Sequence, residues 1–267
     1  MSRSWHVRQR QFYDRVAGSF DARGSVILRR ENRNHLEKIE TIANALHLSP
    51  NDQILEIGIG TGIHAAWILE KRRVTLVGID LSSGMIRIAE ARLRSTGNEG
   101  YHLIKGVGEA LCFADGVFDA CYCSGTLHHV ESPLDVLREM VRVTKPGGYV
   151  AAMEPNWLFP VNTFAAAVQK QERNILMMRG YKLKRWGELT GLAHLEVTNV
   201  LYTPPVPEFL ASLYEKVDSI CRRIPVVRAF SIMLMLSGKK AGGEALASGG
   251  YALIFGHHRQ GAVNIGD

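Results

Sequence analysis

The chain has 267 residues, 46% of them hydrophobic, and a formal net charge of +6. That is enough apolar matter to bury a full core, as one large or two small domains. No run approaches the ~18–20 apolar residues of a membrane span, and the basic start MSRSWHVRQRQ has no apolar stretch behind it, so no secretory signal is expected. Cysteines 112, 121, 123 and 221 lack zinc spacing and are expected as reduced thiols of a cytoplasmic protein, with Cys121 and Cys123 on one face of a strand. The positive charge favours an acidic substrate, nucleic acid or an anionic membrane surface without choosing among them.

Residues 8–47 read as helical, with Ile39, Ile42, Ala43 and Leu46 at helical spacing. The apolar run Ile54–Ile57 is a strand that enters three alternating glycines, Gly58, Gly60 and Gly62. Glycine lets the backbone turn sharply there and approach a ligand without Cβ clashes. The helical spacing of Ile63 to Lys71 places a helix N-terminus, with outward N–H groups, at this loop. A dinucleotide fingerprint, G-x-G-x-x-G, needs glycine at 63, where the chain has isoleucine. The next strand, Val74 to Ile79, ends at Asp80. A carboxylate there can accept hydrogen bonds from both ribose hydroxyls, so loop, helix and Asp80 together indicate an adenosine-type ligand; the alternative for Asp80 is a cap on the helix 83–95.

Tyr101–Lys105 and Val117–Ser124 are the third and fourth strands. Ser132-Pro133 starts a helix that ends near Thr144, and Lys145-Pro146-Gly147-Gly148 turns into a fifth strand, Tyr149–Glu154. Alternating strands and helices imply a mostly parallel, doubly wound sheet. Residues 158–180 read as helical and Leu195–Tyr202 as a sixth strand. Thr203-Pro204-Pro205-Val206-Pro207 breaks the pattern and opens an insertion, and Tyr251–Phe255 reads as the closing strand. The nearly apolar stretch 224–236, flanked by Arg222, Arg223, Arg228, Lys239 and Lys240, is either a lid helix buried on the main domain or a surface helix that meets a membrane or a greasy substrate.

The motifs YDRVAGSFD, ILEIGIGTG, VGIDLSSGMIRIAEAR, GEALCFADGVFDACYCSGTLHHV and LREMVRVTKPGGYVAAMEPN, in this order, resemble the class I S-adenosylmethionine-dependent methyltransferases, in the branch of the ubiquinone and menaquinone C-methyltransferases. The resemblance covers residues 10–155. It implies an α/β Rossmann-like fold with a seven-stranded sheet, divided into an N-terminal helical cap (1–50), a donor-binding core (51–203), a helical lid (204–250) and the last strand and tail (251–267). It also implies S-adenosylmethionine as methyl donor, S-adenosylhomocysteine as product, and no metal. Gly58, Gly60 and Gly62 would approach the donor's methionine portion, with Glu56 and the Ser124 carbonyl near its ammonium group. Asp80 would take the ribose, Leu81 and Met85 would flank adenine, and Tyr13 with Phe20 would close over the donor. The alternative for Met85, Tyr13 and Phe20 is a packing role.

The family commonly carries Gly-Asp-Ala-Glu-Ala-Leu before the fourth strand, its aspartate accepting from the adenine amine. Here the segment is Gly106-Val107-Gly108-Glu109-Ala110-Leu111. Valine cannot accept that bond, so donor affinity is reduced on the order of 1 kcal/mol, or Glu109 or a backbone carbonyl substitutes.

Methyl transfer is an in-line displacement at an activated carbon. Alignment supplies much of the rate, and a positioned base adds about 10²–10⁴-fold. His128, His129 and Glu154, at carboxyl ends of strands, are the candidate bases; the histidine pair reads also as structural or donor-side, and His64 as packing or capping. The expected acceptor is a small or lipid-like molecule selected by the lid. Partner expectations include membrane contact through 224–237 and a homodimer, and nucleic acid is disfavoured, because no Asn-Pro-Pro-Tyr-type motif follows strand five. An RNA or protein methyltransferase and a non-catalytic donor-binding protein are the competing readings.

Overall fold

The computed structural model describes residues 3–20, 33–200, 213, 216, 219–220 and 223–242. Helix α1 (Arg3–Val16) and a 3₁₀ turn (Ala17–Ser19) precede α2 (Arg33–Ala45), β1 (Gln53–Ile57), α3 (Ile63–Lys71), β2 (Thr75–Asp80), α4 (Ser83–Arg94), β3 (Tyr101–Lys105) and β4 (Phe118–Ser124). A 3₁₀ turn (Leu127–His129) leads to α5 (Pro133–Val143) and β5 (Thr144–Pro155). Then come α6 (Pro160–Val168), a 3₁₀ segment (Lys170–Met177), α7 (Gly180–Leu189), β6 (Leu192–Val200), the single turn α8 (Pro225–Arg228) and β7 (Met233–Lys240).

The seven strands lie in the order β3-β2-β1-β4-β5-β7-β6. Six run in one direction, and β7 alone runs antiparallel to its neighbours β5 and β6. Strand order reverses between β1 and β4, which opens a crevice beyond their carboxyl ends where this class of sheet binds ligands.

Each central strand feeds two apolar layers. Ile54 faces a cluster built from Ile39, Ile42 and Leu46 of α2 and Ala65, Ala66 and Ile68 of α3. Leu55 and Ile57 face the opposite layer with Val136, Leu137 and Met140 of α5. Cys121 and Cys123 point together into that second layer, as their spacing requires, and both are free thiols. Ser82 caps α4, its hydroxyl accepting from the Met85 N–H at 3.1 Å. At α5 the proline takes the first helical position, but Ser132 makes no side-chain cap.

Helix α1 lies on α4. Val16, Ala17 and Met85 form a small core with Phe12, Tyr13, Phe20 and Ile88 around it. Asp14 pins the contact, its Oδ1 accepting from Ser82 Oγ at 2.6 Å and the Gly84 N–H at 2.9 Å. Those bonds outweigh burial and hold the Asp14 carboxyl below the usual carboxylate range.

The C-terminal boundaries need correction. Residues 233–240, assigned from sequence to the helical lid 204–250, are the closing strand β7. Met233 and Met235 pack in one layer, and Leu234 and Leu236 in the other. This period of two buries both faces, a pattern that a short apolar run shares with a buried helix. The stretch 224–237 is accordingly not one membrane-facing helix: Ile232–Leu236 are buried, while Ile224, Val226, Val227 and Phe230 are exposed. The segment 158–180 is also broken, into α6 and the 3₁₀ segment. Most of 204–222, Cys221 and the expected last strand 251–255 lie outside the described residues. No described helix is long and apolar enough to cross a membrane.

Candidate active site

A cavity of about 280 Å³ opens at the carboxyl ends of β1, β2 and β4. Its first wall is the glycine loop. Gly58 has φ +71°, and a Cβ there would fall on the Thr126 hydroxyl. Gly62, at φ +74°, starts α3, and a Cβ would press on Ala89 of α4 at 3.0 Å. The loop is tied to Asp80, whose Oδ2 accepts from the Gly60 N–H at 2.9 Å while Oδ1 accepts from the Ser82 N–H at 2.8 Å. Burial raises the Asp80 carboxyl above its ordinary value against the pull of these N–H groups. The cap of α4 is Ser82 and not Asp80, which instead ties the N–H of that cap residue and the glycine loop together.

Two titratable side chains, Glu56 and Lys38, form the floor. Glu56, on β1, is buried, and burial raises its carboxyl to about 8 against the Tyr122 hydroxyl and the Lys38 ammonium. His64 Nδ1 stands 3.5 Å from Glu56 Oε1, so His64 packs behind the floor. Lys38, from α2, is buried and lines the cavity; burial lowers it to about 8 although Glu154 and Glu56 pull the other way. Sequence reasoning missed Lys38. Its signal was a lysine beside the apolar stripe Leu36, Ile39, Ala43, on a helix face that α2 turns inward.

Leu81, Met85, Val107, Gly108 and Glu109 line the far wall, and Ser124 the near one. Glu109 is buried and its Oε1 meets His6 Nε2 at 3.3 Å and accepts from the Glu131 N–H at 3.2 Å. Gly108 is required by close approach, since a Cβ would lie 2.8 Å from the Ile57 side chain. Helix α1 covers the mouth with His6, Gln9 and Tyr13, joined by Phe20 just beyond it. Trp5 Nε1 donates to the His129 carbonyl at 3.2 Å, and the Tyr13 ring meets the His129 ring edge-on at 5.4 Å.

Of the three candidate bases, His129 lines the cavity and His128 and Glu154 stand behind it. Glu154 is fully buried and organises the turn after β4. Its Oε1 accepts from the N–H groups of Thr126 and Leu127 at 2.9 and 2.8 Å, and its Oε2 lies 2.6 Å from His128 Nδ1. Burial alone would raise its carboxyl, but the His128 charge and these donors hold it low. On the other side His128 Nε2 is 3.3 Å from Glu172, which sequence reasoning did not single out because it belongs to a separate segment. Burial would lower His128; the two carboxylates outweigh it and bring the imidazole up to about 9. Burial and the neighbouring His128 charge lower His129 to about 3.

Fold and cavity together define a Rossmann-like protein with a ligand crevice at the carboxyl ends of β1, β2 and β4. The chain is similar to the class I S-adenosylmethionine-dependent methyltransferases: residues 55–152 match the family model described as a methyltransferase domain. It is 28% identical over 156 residues to a demethylmenaquinone methyltransferase of Geobacillus kaustophilus, covering 58% of this chain and 65% of that protein. It is 32% identical over 115 residues to methyltransferase GfsG of Streptomyces halstedii, covering 42% and 41%. The chain thus spans less than two thirds of either relative. A Thermotoga maritima S-adenosylmethionine-dependent methyltransferase shares the fold, with a TM-score of 0.61 at 19% identity, over 87% of this chain and 99% of that one.

Proposed function

We propose that this protein transfers a methyl group from S-adenosylmethionine to a small or lipid-like acceptor in the cytoplasm. The observation that carries the reading is the glycine loop tied to Asp80 at the mouth of the cavity, with Glu56 and Lys38 on its floor. These residues fit the donor. Asp80 keeps lone pairs for the ribose hydroxyls, Glu56 suits its ammonium group, and Lys38 suits its carboxylate. Leu81, Met85 and Val107 give an apolar slot for adenine beside Glu109.

The bound donor supplies a methyl carbon already activated by a positive sulfonium. The chain therefore has to orient, exclude water and receive a proton where the acceptor carries one. Helix α1 excludes water through Tyr13, held over the mouth by the Asp14 and Trp5 bonds. His129 is the polar group on the acceptor side, and the Glu154–His128 pair acts through it as a positioning device. The unpaired Cys121 and Cys123 suit a reducing compartment. The quinone substrate in the name of the Geobacillus relative supports an aromatic, lipid-like acceptor.

The test is calorimetric titration with S-adenosylmethionine and S-adenosylhomocysteine, followed by transfer of labelled methyl to a panel of quinols, phenols, RNA and protein. Micromolar donor binding and label on a small molecule support the reading. Label on RNA or protein alone, or donor binding with no transfer to any acceptor, sinks it.

A further inference from the structure

His128, His129 and Glu172 form a cluster that the donor site does not use. Their ligating atoms lie within 4.8 Å of one another. We propose that this cluster is a divalent metal site of the two-histidine, one-carboxylate type, suited to Zn²⁺, Mn²⁺, Fe²⁺ or Co²⁺.

The geometry carries it. An ion held at ~2.0–2.2 Å by each ligand requires ligand atoms roughly 3.0–3.4 Å apart. His128 Nε2 and Glu172 Oε2 are 3.3 Å apart, and His129 Nε2 lies 4.0 Å from Glu172 Oε1. The three ligand atoms lie within 4.8 Å of one another, so small side-chain movements of Glu172 and His129 would bring the set to ligating distance. His128 is also prepared as metal-binding histidines are. Its Nδ1 is 2.6 Å from the buried Glu154 carboxylate, which leaves Nε2 facing Glu172. A carboxylate behind the ligand fixes the tautomer and raises the basicity of the coordinating nitrogen. Glu154 is held in place by two backbone N–H groups, so the support is rigid.

Charge points the same way. Two carboxylates, Glu154 and Glu172, converge on two imidazoles in a largely buried place, where a divalent cation would take over the balancing role that the charged His128 imidazole otherwise fills. The two histidine rings sit 3.8 Å apart, centre to centre, an arrangement that disfavours charging both with protons. Access exists from one side only: the side chains of Glu172 and His129 are 24% and 17% exposed, against 4% for His128. His129 lines the donor cavity, so the ion would stand at its acceptor-side wall, where an open coordination position suits an acceptor oxygen. Two-histidine, one-carboxylate triads with open positions suit transition ions that bind oxygen ligands.

The experiment uses the full chain, freed of any affinity tag and stripped with chelator. Zn²⁺ and Co²⁺ are titrated by calorimetry, with the visible spectrum of the Co²⁺ form as a second readout. The expected result is one ion per chain. Glu172→Gln and His129→Gln should each weaken binding at least tenfold and change the Co²⁺ spectrum, with thermal melts confirming that both variants fold. Binding of S-adenosylhomocysteine, measured separately, reports the donor site and stands or falls independently. No saturable site in the wild type, or variants that bind the ion as the wild type does, would show the cluster to be only a hydrogen-bonded imidazole between carboxylates.

Discussion

Replacing Lys38 by methionine separates a donor-binding residue from a structural one. The ammonium is buried and enters the cavity from α2, and burial has already lowered it to about 8. Near neutral pH it is still charged, while Glu56, raised to about 8, is mostly protonated. The apo floor therefore holds a cation without an ionised partner at hydrogen-bond distance. Methionine has similar length, so Lys38→Met leaves no large cavity, and exchanging a buried charge for an apolar side chain is often neutral or stabilising. The apo protein should melt at the same temperature or higher. Donor binding should move the other way. A hydrogen bond to a charged group contributes about 1.5–3 kcal/mol, so affinity should fall roughly 10- to 150-fold. Calorimetry with S-adenosylmethionine and with an analogue lacking the carboxylate completes a double-mutant cycle. The wild type should prefer the intact donor, and the variant should lose that preference. Equal losses for both ligands, or a destabilised apo variant with unchanged affinity, would refute the assignment of Lys38 to the donor carboxylate.

Glu56 and Lys38 also set a pH dependence. A carboxyl raised from 4.5 to about 8 stabilises the fold fully below 4.5 and loses that contribution as pH rises to about 8. An amine lowered from 10.5 to about 8 contributes fully above 10.5 and loses it as pH falls to about 8. The pair thus gives a minimum near pH 8, and Glu56→Gln should gain on the wild type steadily between about pH 5 and pH 8 in chemical denaturation; parallel curves would contradict the assignment. Val107→Asp, at the cavity wall, should restore an acceptor for the adenine amine and tighten donor binding about five- to tenfold. Unchanged affinity in calorimetry would mean that Glu109 or a backbone carbonyl already serves adenine. Gly58→Ala combines a left-handed φ of +71° with a Cβ placed on the Thr126 hydroxyl, so it should cost about 1–3 kcal/mol and weaken the donor site. A denaturation midpoint equal to that of the wild type would overturn that account.

The parts of the site legible in the sequence are those whose geometry is local. Gly58, Gly60 and Gly62 must follow a strand and precede a helix, and Asp80 must end the next strand, so spacing alone set them side by side. Lys38 and Glu172 were not legible, because each reaches its place only through packing. Lys38 depends on which face α2 turns to the sheet, and Glu172 on how the segment after α6 folds back against the turn 127–129. The boundary of β7 failed for a different reason. Ile232–Leu236 is apolar on every residue, so it carries no period. Only the discovery that both faces are covered, by α2 and α3 on one side and α5 and α7 on the other, decides for a strand.

The valine at 107 becomes understandable once the two ends of the cavity are compared. At the adenine end the wall is Leu81, Met85, Val107 and the backbone, with Glu109 partly engaged by His6 and the Glu131 N–H. A hydrogen bond lost there is largely replaced by water, so the net cost is on the order of 1 kcal/mol. At the methionine end of the proposed site Glu56 and Lys38 are already desolvated, and a zwitterion entering between them would give Lys38 an anionic partner and Glu56 a cationic one. Charged contacts of that kind are worth roughly twice a neutral one. They also need no reorganisation when the ligand arrives, because α2 and β1 hold both groups within the core. On the proposed reading the binding energy of the donor is therefore concentrated at its amino-acid end, and the adenine end can do without a carboxylate at position 107.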